Sequence, residues 1–168
     1  LSDQKASKQA FLGLTDKKLN ILHIATHGAY RVRKGVSDKE AMSNSILAFA
    51  GANLDDMGIV TAAEVARMNL RHCDLVALSA CETGLGKLSS DGVFGLQRGF
   101  KNAGVHTLLM SLKNVYDAST AELMIAFYQN LMLGMSKREA LVKAQQMIRQ
   151  KGYKEAKYWA TFILLDAI

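Results

Sequence analysis

The sequence predicts an α/β sandwich, in which helices cover both faces of a mostly parallel sheet. Four largely apolar segments of strand length span residues 19–26, 74–80, 105–112 and 160–165. Continuous rather than alternating hydrophobicity indicates strands that are buried on both faces. Segments with helical periodicity separate them, so the connections are expected to be right-handed crossovers. Four strands make a narrow sheet, and we expect one or two further strands upstream of residue 1.

The helices are predicted from their start signals and apolar stripes. The S/T-x-x-E capping box, which satisfies free amides at a helix start, occurs at Thr61–Glu64, Ser119–Glu122 and Ser136–Glu139. Another helix is predicted over 92–103, with Gly104 as its C-terminal cap. The positions expected to face the core are Val93, Leu96, Phe100, Ala103, Leu123, Ala126, Phe127, Asn130, Leu131, Ala140, Leu141, Ala144, Met147 and Ile148.

Composition and length favour a single cytoplasmic domain over residues 1–168. Apolar residues make up 49% of the chain and charged residues 21%, as in a globular protein. The longest stretches without a charge, 41–54 and 123–136, are shorter than the roughly 20 residues of a membrane span, so no membrane partner is expected. Two cysteines do not make a disulfide framework. Because residue 1 is Leu, we interpret the chain as the C-terminal part of a longer protein.

The positive charge is concentrated in one segment. The net charge is +6, and residues 137–157 contain seven Lys or Arg against two Glu. No aromatic residue is interleaved with the basic ones before Tyr153, which disfavours a nucleic-acid surface. A solvated helix face is the preferred interpretation, and nucleic acid is not an expected partner of this domain.

Two of the predicted strands end on residues that can carry chemistry. The first reads "ILHIATHG" and reaches His27, and the second reads "VALSACETG" and reaches Cys81. In open α/β sheets, sites form beyond the carboxyl ends of the strands. If the two strands are neighbours, about 4.8 Å apart, His27 and Cys81 project from the same edge. A thiol nucleophile beside an imidazole acid/base is one chemistry that such an edge supports. His23 lies inside its strand and is interpreted as a hydrogen-bonded core histidine.

Other interpretations of the cysteine remain open but are disfavoured. A phosphate-binding loop needs G-x-x-x-x-G-K-[ST], but Cys81 occupies the first glycine position and Leu88 follows the lysine. No C-x-x-C pair supports a thioredoxin-like role, and His23 and His27 lack the glutamate and the helix of a zinc-binding H-E-x-x-H motif. An inert buried thiol is common in protein cores. However, Cys81 is followed directly by a predicted polar, glycine-containing loop, and a cysteine that only packs in the core is not expected at such a position.

Three longer stretches resemble a known family. They are "HIATHGAY" at 23–30, "LSACETGLGKLSSDGVFGLQRGFKNAGVHTLLMSL" at 78–112 and "YWATFILLDAI" at 158–168. They are similar to the CHAT domains, caspase-like domains often fused to tetratricopeptide repeats, in the superfamily of separase, the gingipains and the caspases. The resemblance extends over almost all of residues 20–168. It implies a caspase-like three-layer α/β/α sandwich and tetratricopeptide repeats elsewhere in the same protein.

The resemblance also implies a cysteine endopeptidase that cleaves a protein or peptide substrate. Cys81 would be the nucleophile and His27 the acid/base, and the backbone amides of Gly28 and Cys81 would form the oxyanion hole. No metal or cofactor is expected. The rival interpretation is an inactive CHAT-like interaction domain whose groove binds a partner without hydrolysis; a nucleotide-binding module is a distant third.

Substrate choice is the least determined part of the prediction. Relatives such as separase and the gingipains prefer a basic residue before the scissile bond and bind it with an acidic side chain. In this sequence the acidic residues near the predicted edge are Asp117, Asp91 and Glu82. Asp91 is preferred as the N-cap of the helix over 92–103. Lys113 stands where the family usually has tryptophan after Ser-Leu. The lysine removes an apolar wall of the substrate groove and adds a positive charge. Three consequences are open: repulsion of a basic substrate residue, preference for an acidic one, or loss of cleavage activity.

Overall fold

The computed structural model describes residues 1–30, 38–54, 57–79, 86–89 and 92–166. After a short 3-10 turn at Asp3–Lys5, the helices are α1 (Lys8–Leu12), α2 (Asp38–Asn44), α3 (Ala62–Val65), α4 (Leu96–Asn102), α5 (Asp117–Met132), α6 (Lys137–Gln150) and α7 (Ala156–Trp159). The strands are β1 (Ile21–Ala25), β2 (His27–Tyr30), β3 (Ser45–Ala48), β4 (Ile59–Thr61), β5 (Leu75–Ser79), β6 (Gly86–Ser89), β7 (Gly92–Gly95), β8 (Thr107–Ser111) and β9 (Phe162–Asp166).

The four predicted strands form one sheet in the order β1-β5-β8-β9. β1 is parallel to β5, with Ile21 opposite Leu75 and Ala25 opposite Ser79. β8 continues the parallel arrangement, whereas β9 is antiparallel to β8. The prediction of a mostly parallel sheet is therefore confirmed. The carboxyl ends of β1, β5 and β8 lie at one edge, where β9 begins.

Helices cover both faces of this sheet, as the sequence predicted. One core lies between the sheet and α1, α3, α4 and the β3–β4 pair, and it includes Phe11, Ile24, Leu47, Val60, Phe100 and Met110. The other lies between the sheet and α5 and α6, and it includes Leu75, Leu109, Leu123, Phe127, Ile148 and Phe162. The apolar stripes predicted for α5 and α6 face this second core. The molecule is a three-layer α/β/α sandwich.

A second sheet, which the sequence did not predict, lies beside the carboxyl end of β1. β2, β3 and β4 form an antiparallel sheet in that order. The chain leaves the main sheet at Thr26, whose hydroxyl donates a hydrogen bond to the carbonyl of Ala48. β3 lies in the uncharged run 41–54 and places the fully buried Leu47 in the first core. His27 thus starts a new strand directly after β1.

Two of the three capping boxes are confirmed and the third is wrong. Thr61 and Ser136 each accept a hydrogen bond from the amide of the glutamate three residues later, and both boxes are complete. α5 instead begins at Asp117, and the Ser119 hydroxyl, two residues inside it, donates to the carbonyl of Tyr116. An aspartate in the first turn suits the positive helix end, so the helix starts earlier than the motif indicated.

The helix predicted over 92–103 is too long at its start. Gly92–Gly95 is β7, which pairs antiparallel with β6, and α4 begins at Leu96 with Gly95 as its N-cap. Two glycines in four residues oppose a helix, and the alternative is a short hairpin. The prediction that Asp91 caps this helix is wrong, since the helix starts five residues later. The end is confirmed: Gly104 follows the helix with φ +91°.

An ion pair links α1 to α3 and predicts that the stability of the fold depends on pH. Lys8 Nζ lies 2.6 Å from Glu64 Oε1. Burial raises the pKa of Glu64, but hydrogen bonds from Lys8 and Thr61 outweigh it and hold the pKa below the ordinary value of 4.5. Because the folded-state pKa is lowered, the carboxylate stabilises the fold above the unfolded-state pKa, and this contribution disappears as the pH falls through the folded-state pKa.

We therefore expect Glu64→Gln to lower the free energy of unfolding at about pH 7 by up to about 1 kcal/mol and to have a progressively smaller effect as the pH falls below the ordinary pKa of 4.5. Urea unfolding at a series of pH values measures this. Glu155→Gln, which removes an exposed pair with Lys157, is the control. A Glu64→Gln variant whose deficit persists unchanged in acid would contradict the assignment.

The basic segment 137–157 is largely paired rather than free. Lys137 reaches Asp74, Arg138 reaches Asp166, and Lys151 reaches Glu122, all within 2.9 Å. Arg149 stacks 5.8 Å from the centre of the Trp159 ring. This pattern favours a solvated helix face. None of the helices formed by the described residues combines the length and apolarity needed to cross a membrane.

Candidate active site at the carboxyl edge of the sheet

The register of β1 and β5 aligns the strand ends that precede the two predicted catalytic residues in the sequence. Ala25 and Ser79 are opposite each other in neighbouring parallel strands. His27 follows Ala25 by two residues, and Cys81 follows Ser79 by two residues. Cys81 lies outside the described residues, as do Glu82 and Asp91. The predicted adjacency of the two strands, on which the pairing of His27 with Cys81 depends, is confirmed.

The local fold fixes the backbone of His27 and Gly28. His27 lies opposite Ala48 and Gly28 opposite Leu47 in the β2–β3 ladder. The imidazole of His27 is exposed, and Gly28 is half-buried. Because Leu47 is completely buried, the strand beside His27 is anchored in the core. An accessible imidazole on a fixed backbone is the arrangement that an acid/base requires.

His23 differs from its prediction. It was expected in the core, but its side chain is substantially exposed and its Nε2 lies 2.8 Å from the hydroxyl oxygen of Ser79. Its ring packs 5.6 Å from the ring of Tyr128 on α5. Partial burial lowers the pKa of His23 below its ordinary value of 6.5. The predicted hydrogen bond is present, but the location is the rim of the second core, because α5 covers β5 more completely than the edge strand β1.

Cys73 is the cysteine that the structure describes, and it lies far from the carboxyl edge of the sheet. It precedes β5, at the amino end of the sheet, and is 1% exposed. Its thiol donates a hydrogen bond to the carbonyl of Leu75, 3.3 Å away. Burial raises the pKa of the Cys73 thiol. A buried, protonated thiol at the opposite edge is unsuited to nucleophilic chemistry.

The remaining histidines also lie away from the candidate site. His72 is exposed beside Cys73. His106 precedes β8 at the amino edge, where its Nδ1 lies 3.8 Å from Asp74. Of the four histidines, His23 lies on β1 and His27 begins β2, and these two are the ones nearest the carboxyl edge of the sheet.

Lys113 and Asp117 follow β8 at the same edge of the sheet. Both side chains are exposed; Lys113 comes two residues after the end of β8, and Asp117 is the first residue of α5. The position of Asp117 in the first helical turn is electrostatically favourable without any substrate. Both are accessible to a ligand at the edge of the sheet.

An aromatic cluster at this edge was missed by the sequence analysis. The rings of Tyr116 and Tyr158 are 5.0 Å apart, and Lys157 Nζ lies 4.9 Å from the centre of the Tyr158 ring. Tyr116 is 48% exposed. These residues come from α7 and the turn before α5, far apart in sequence, so no local motif announces them. Tyr116 follows Lys113 by three residues, and Lys157 Nζ also lies 5.8 Å from the centre of the Tyr116 ring.

A cleft of about 920 Å³ opens beside β1 and extends to His27. Its walls include Phe11 of α1, Phe49 after β3, and the residues of β1 itself. Across the part of the chain that the structure describes, no three His, Cys, Asp or Glu side chains come together as metal ligands do.

The parallel strands, the antiparallel last strand and the helices on both faces define a caspase-like α/β domain. A family model described as "CHAT domain" matches residues 1–167, and the chain belongs to the CHAT domain family. It is similar to Tetratricopeptide repeat protein 28 of Homo sapiens, with 31% identity over 138 residues, and to the Mus musculus protein of the same name, with 29% identity over 138 residues. Each match covers 82% of this chain but 5% of the relative.

Proposed function

We propose that this chain is a cysteine endopeptidase domain that cleaves a protein partner through Cys81 and His27. The main support is the register of β1 and β5, because Ala25 and Ser79 lie opposite each other and the two reactive residues follow them at equal spacing. Membership of the CHAT family, which is related to cysteine peptidases, supports the same chemistry. The exposed imidazole of His27 is accessible to a substrate.

The proposed reaction proceeds through an acyl-enzyme. The Cys81 thiolate attacks the scissile carbonyl carbon, and the backbone amides of Gly28 and Cys81 stabilise the oxyanion by roughly 3 kcal/mol per donor. As the C–N bond breaks, protonated His27 gives its proton to the departing amine nitrogen. Neutral His27 then takes a proton from water, whose oxygen attacks the thioester carbon. The C–S bond breaks and the Cys81 thiolate is restored.

The substrate-binding residues proposed here are Lys113, Asp117, Glu82 and Asp91. Since α4 begins at Leu96, Asp91 is not committed to capping that helix. Asp117 offers a negative charge to a basic side chain, and Lys113 offers a positive charge to an acidic one. The exposed Tyr116 provides apolar contact area beside them. A mixed surface of this kind favours recognition of several substrate residues rather than of one side chain.

We also propose the context in which the domain acts. The two relatives named above carry tetratricopeptide repeats in their names and are far longer than this chain. Residues 1–168 would form one catalytic domain, and repeats in the same protein would deliver the substrate. The absence of a disulfide framework in the sequence favours a cytoplasmic location.

A set of peptidyl chloromethyl ketones with acidic, basic and apolar residues next to the reactive group tests the proposed function. In the full-length protein we expect a covalent adduct on Cys81, located by mass spectrometry, which is lost in Cys81→Ala and strongly reduced in His27→Ala. Cys73→Ala is the matched control and should still react. The preferred reagent would also report which charge the pocket around Lys113 accepts.

The rival function, a CHAT-like interaction domain without catalysis, predicts a different result. Lys113 in place of the usual tryptophan is the feature that favours it. In that case no peptidyl reagent reacts faster with Cys81 than iodoacetamide does, and His27→Ala leaves the rate of reaction at Cys81 unchanged. That outcome, with a correctly folded full-length protein, would overturn the peptidase proposal.

A further inference from the structure

A polar contact joins β1 and β5 just before the strands reach the candidate catalytic residues. His23 Nε2 lies 2.8 Å from Ser79 Oγ. In the register of the two strands, Ser79 is opposite Ala25 and His23 is opposite Ala77, so the contact runs diagonally across the pair. It therefore connects the two strands two residues before Cys81 and four residues before His27.

This contact lies at the rim of the second core, where the His23 side chain is exposed. Side chains at alternate positions share a face of a strand, so Leu75, Ala77 and Ser79 point to the α5 side. Leu75 and Ala77 are buried in the second core, whereas Ser79 is half-buried at its rim. A hydroxyl in such a place costs free energy unless it is hydrogen-bonded. His23 is the side chain that satisfies it.

The ring of His23 is also held from the α5 side. Tyr128 packs 5.6 Å from it, at an angle of 43°, and Tyr128 itself packs against Phe127. Burial raises the pKa of Tyr128 to about 12, so this neighbour is uncharged. The imidazole is therefore constrained by an aromatic ring on one side and by the Ser79 hydroxyl at Nε2. A constrained side chain bridging two strands can transmit its position to the backbone of both.

We propose that His23 and Ser79 are positioning residues for the peptidase reaction, whose hydrogen bond fixes the ends of β1 and β5 so that His27 and Cys81 face each other. The inference rests on the proposed function. A catalytic pair is sensitive to displacements of about 1 Å, which can cost about 100-fold in rate. The backbone ladder between β1 and β5 runs as far as the Ala25–Ser79 pair, and the contact between His23 and Ser79 adds a side-chain link at this last pair, where β1 gives way to β2.

The test compares inactivation kinetics with a peptidyl chloromethyl ketone in the full-length protein. For Ser79→Ala and His23→Leu, we expect the maximal inactivation rate constant to fall about 10- to 100-fold while the half-saturating reagent concentration stays within about twofold. Ser79→Thr retains the hydroxyl and His23→Gln retains a polar nitrogen near Nε2, so each should recover most of the rate. The double variant should be no slower than the slower single variant, because the two act as one unit.

A control variant with lowered stability distinguishes a positioning role of His23 and Ser79 from a general loss of folding. Ser136→Ala removes a capping hydroxyl from α6, whose first residue Lys137 contacts Asp74 at the opposite edge of the sheet. It is expected to lower the melting temperature at least as much as Ser79→Ala without slowing inactivation. A Ser79→Ala rate within twofold of wild type would overturn the inference, as would a rate loss in every variant in proportion to its loss of stability. A wild-type protein that does not react at all would overturn the proposed function and this inference together.

Discussion

Replacing either Cys81 or His27 by alanine is expected to reduce cleavage of a peptide substrate by at least about 10³-fold in kcat/KM. Cys81→Ala removes the only group proposed to form the covalent bond. His27→Ala removes the proton donor for the departing amine, and with it the cation that favours the thiolate. Because the two residues act as a unit, the double variant should be about as inactive as either single variant.

Two controls make this result specific to the carboxyl edge of the sheet. Cys73→Ala removes the buried thiol at the opposite edge, and His72→Ala removes an exposed imidazole beside it. Both should retain kcat/KM within a few-fold of wild type. A His27→Ala variant with unchanged kcat/KM, in a protein whose wild type cleaves peptide, would contradict the assignment of His27 as acid/base.

Phe127→Ala is expected to lower the free energy of unfolding by about 3–5 kcal/mol. Phe127 is completely buried between α5, α6 and the sheet, in the core that includes Leu75 of β5 and Leu109 of β8. Truncation removes a large apolar side chain and leaves a cavity that the surrounding helices and strands fill only in part. For a domain of this size, each kcal/mol corresponds to about 2–4 °C in melting temperature.

Ile125→Ala is the matched control on the same helix. Ile125 is 58% exposed and lies two residues from Phe127. Its replacement should change the free energy of unfolding by less than about 0.5 kcal/mol, because it is a surface position. Comparable losses for the two variants in urea unfolding would contradict the placement of the second core.

The sequence was most informative where hydrophobic burial alone determines structure. The main-sheet strands β1, β5, β8 and β9 are continuous apolar runs, and their positions were predicted to within a few residues. The prediction that each is buried on both faces is wrong for β1, where Ile24 is the one buried residue, because β1 has a neighbour on one side only in the described sheet. The stripes of α5 and α6, including Leu123 and Ile148, were predicted from helical periodicity and face the core as expected. Both signals are local and come from the same requirement to exclude water from a sandwich.

Structure that depends on glycine or on pairing with distant residues was predicted less well. Gly92–Gly95 was assigned to a helix because Val93 fitted the helical stripe, yet this segment pairs with β6. The β2–β3–β4 sheet was missed because its strands are only three or four residues long and pair with one another across intervening segments of the chain. Ser119 matched a capping motif, but the helix that contains it starts at Asp117.

The sequence predicted where the candidate site residues lie relative to the strands, but it did not predict the side chains that surround them. His27 and Gly28 could be placed because they follow an apolar strand directly. The contact between His23 and Ser79 could not be predicted, because it depends on the register of two strands more than fifty residues apart in sequence. The same is true of the Tyr116–Tyr158 pair, which is formed where α5 begins and β9 approaches the same edge.

The central claim is that His27 and Cys81 face each other across one end of the sheet. A crystal structure of the full-length protein, with the distance between the nearest His27 ring nitrogen and Cys81 Sγ as its readout, tests this claim most directly. We predict a separation within about 4 Å, with both atoms open to solvent. A sulfur that is buried away from the groove, or that points from the opposite rim, would contradict the account.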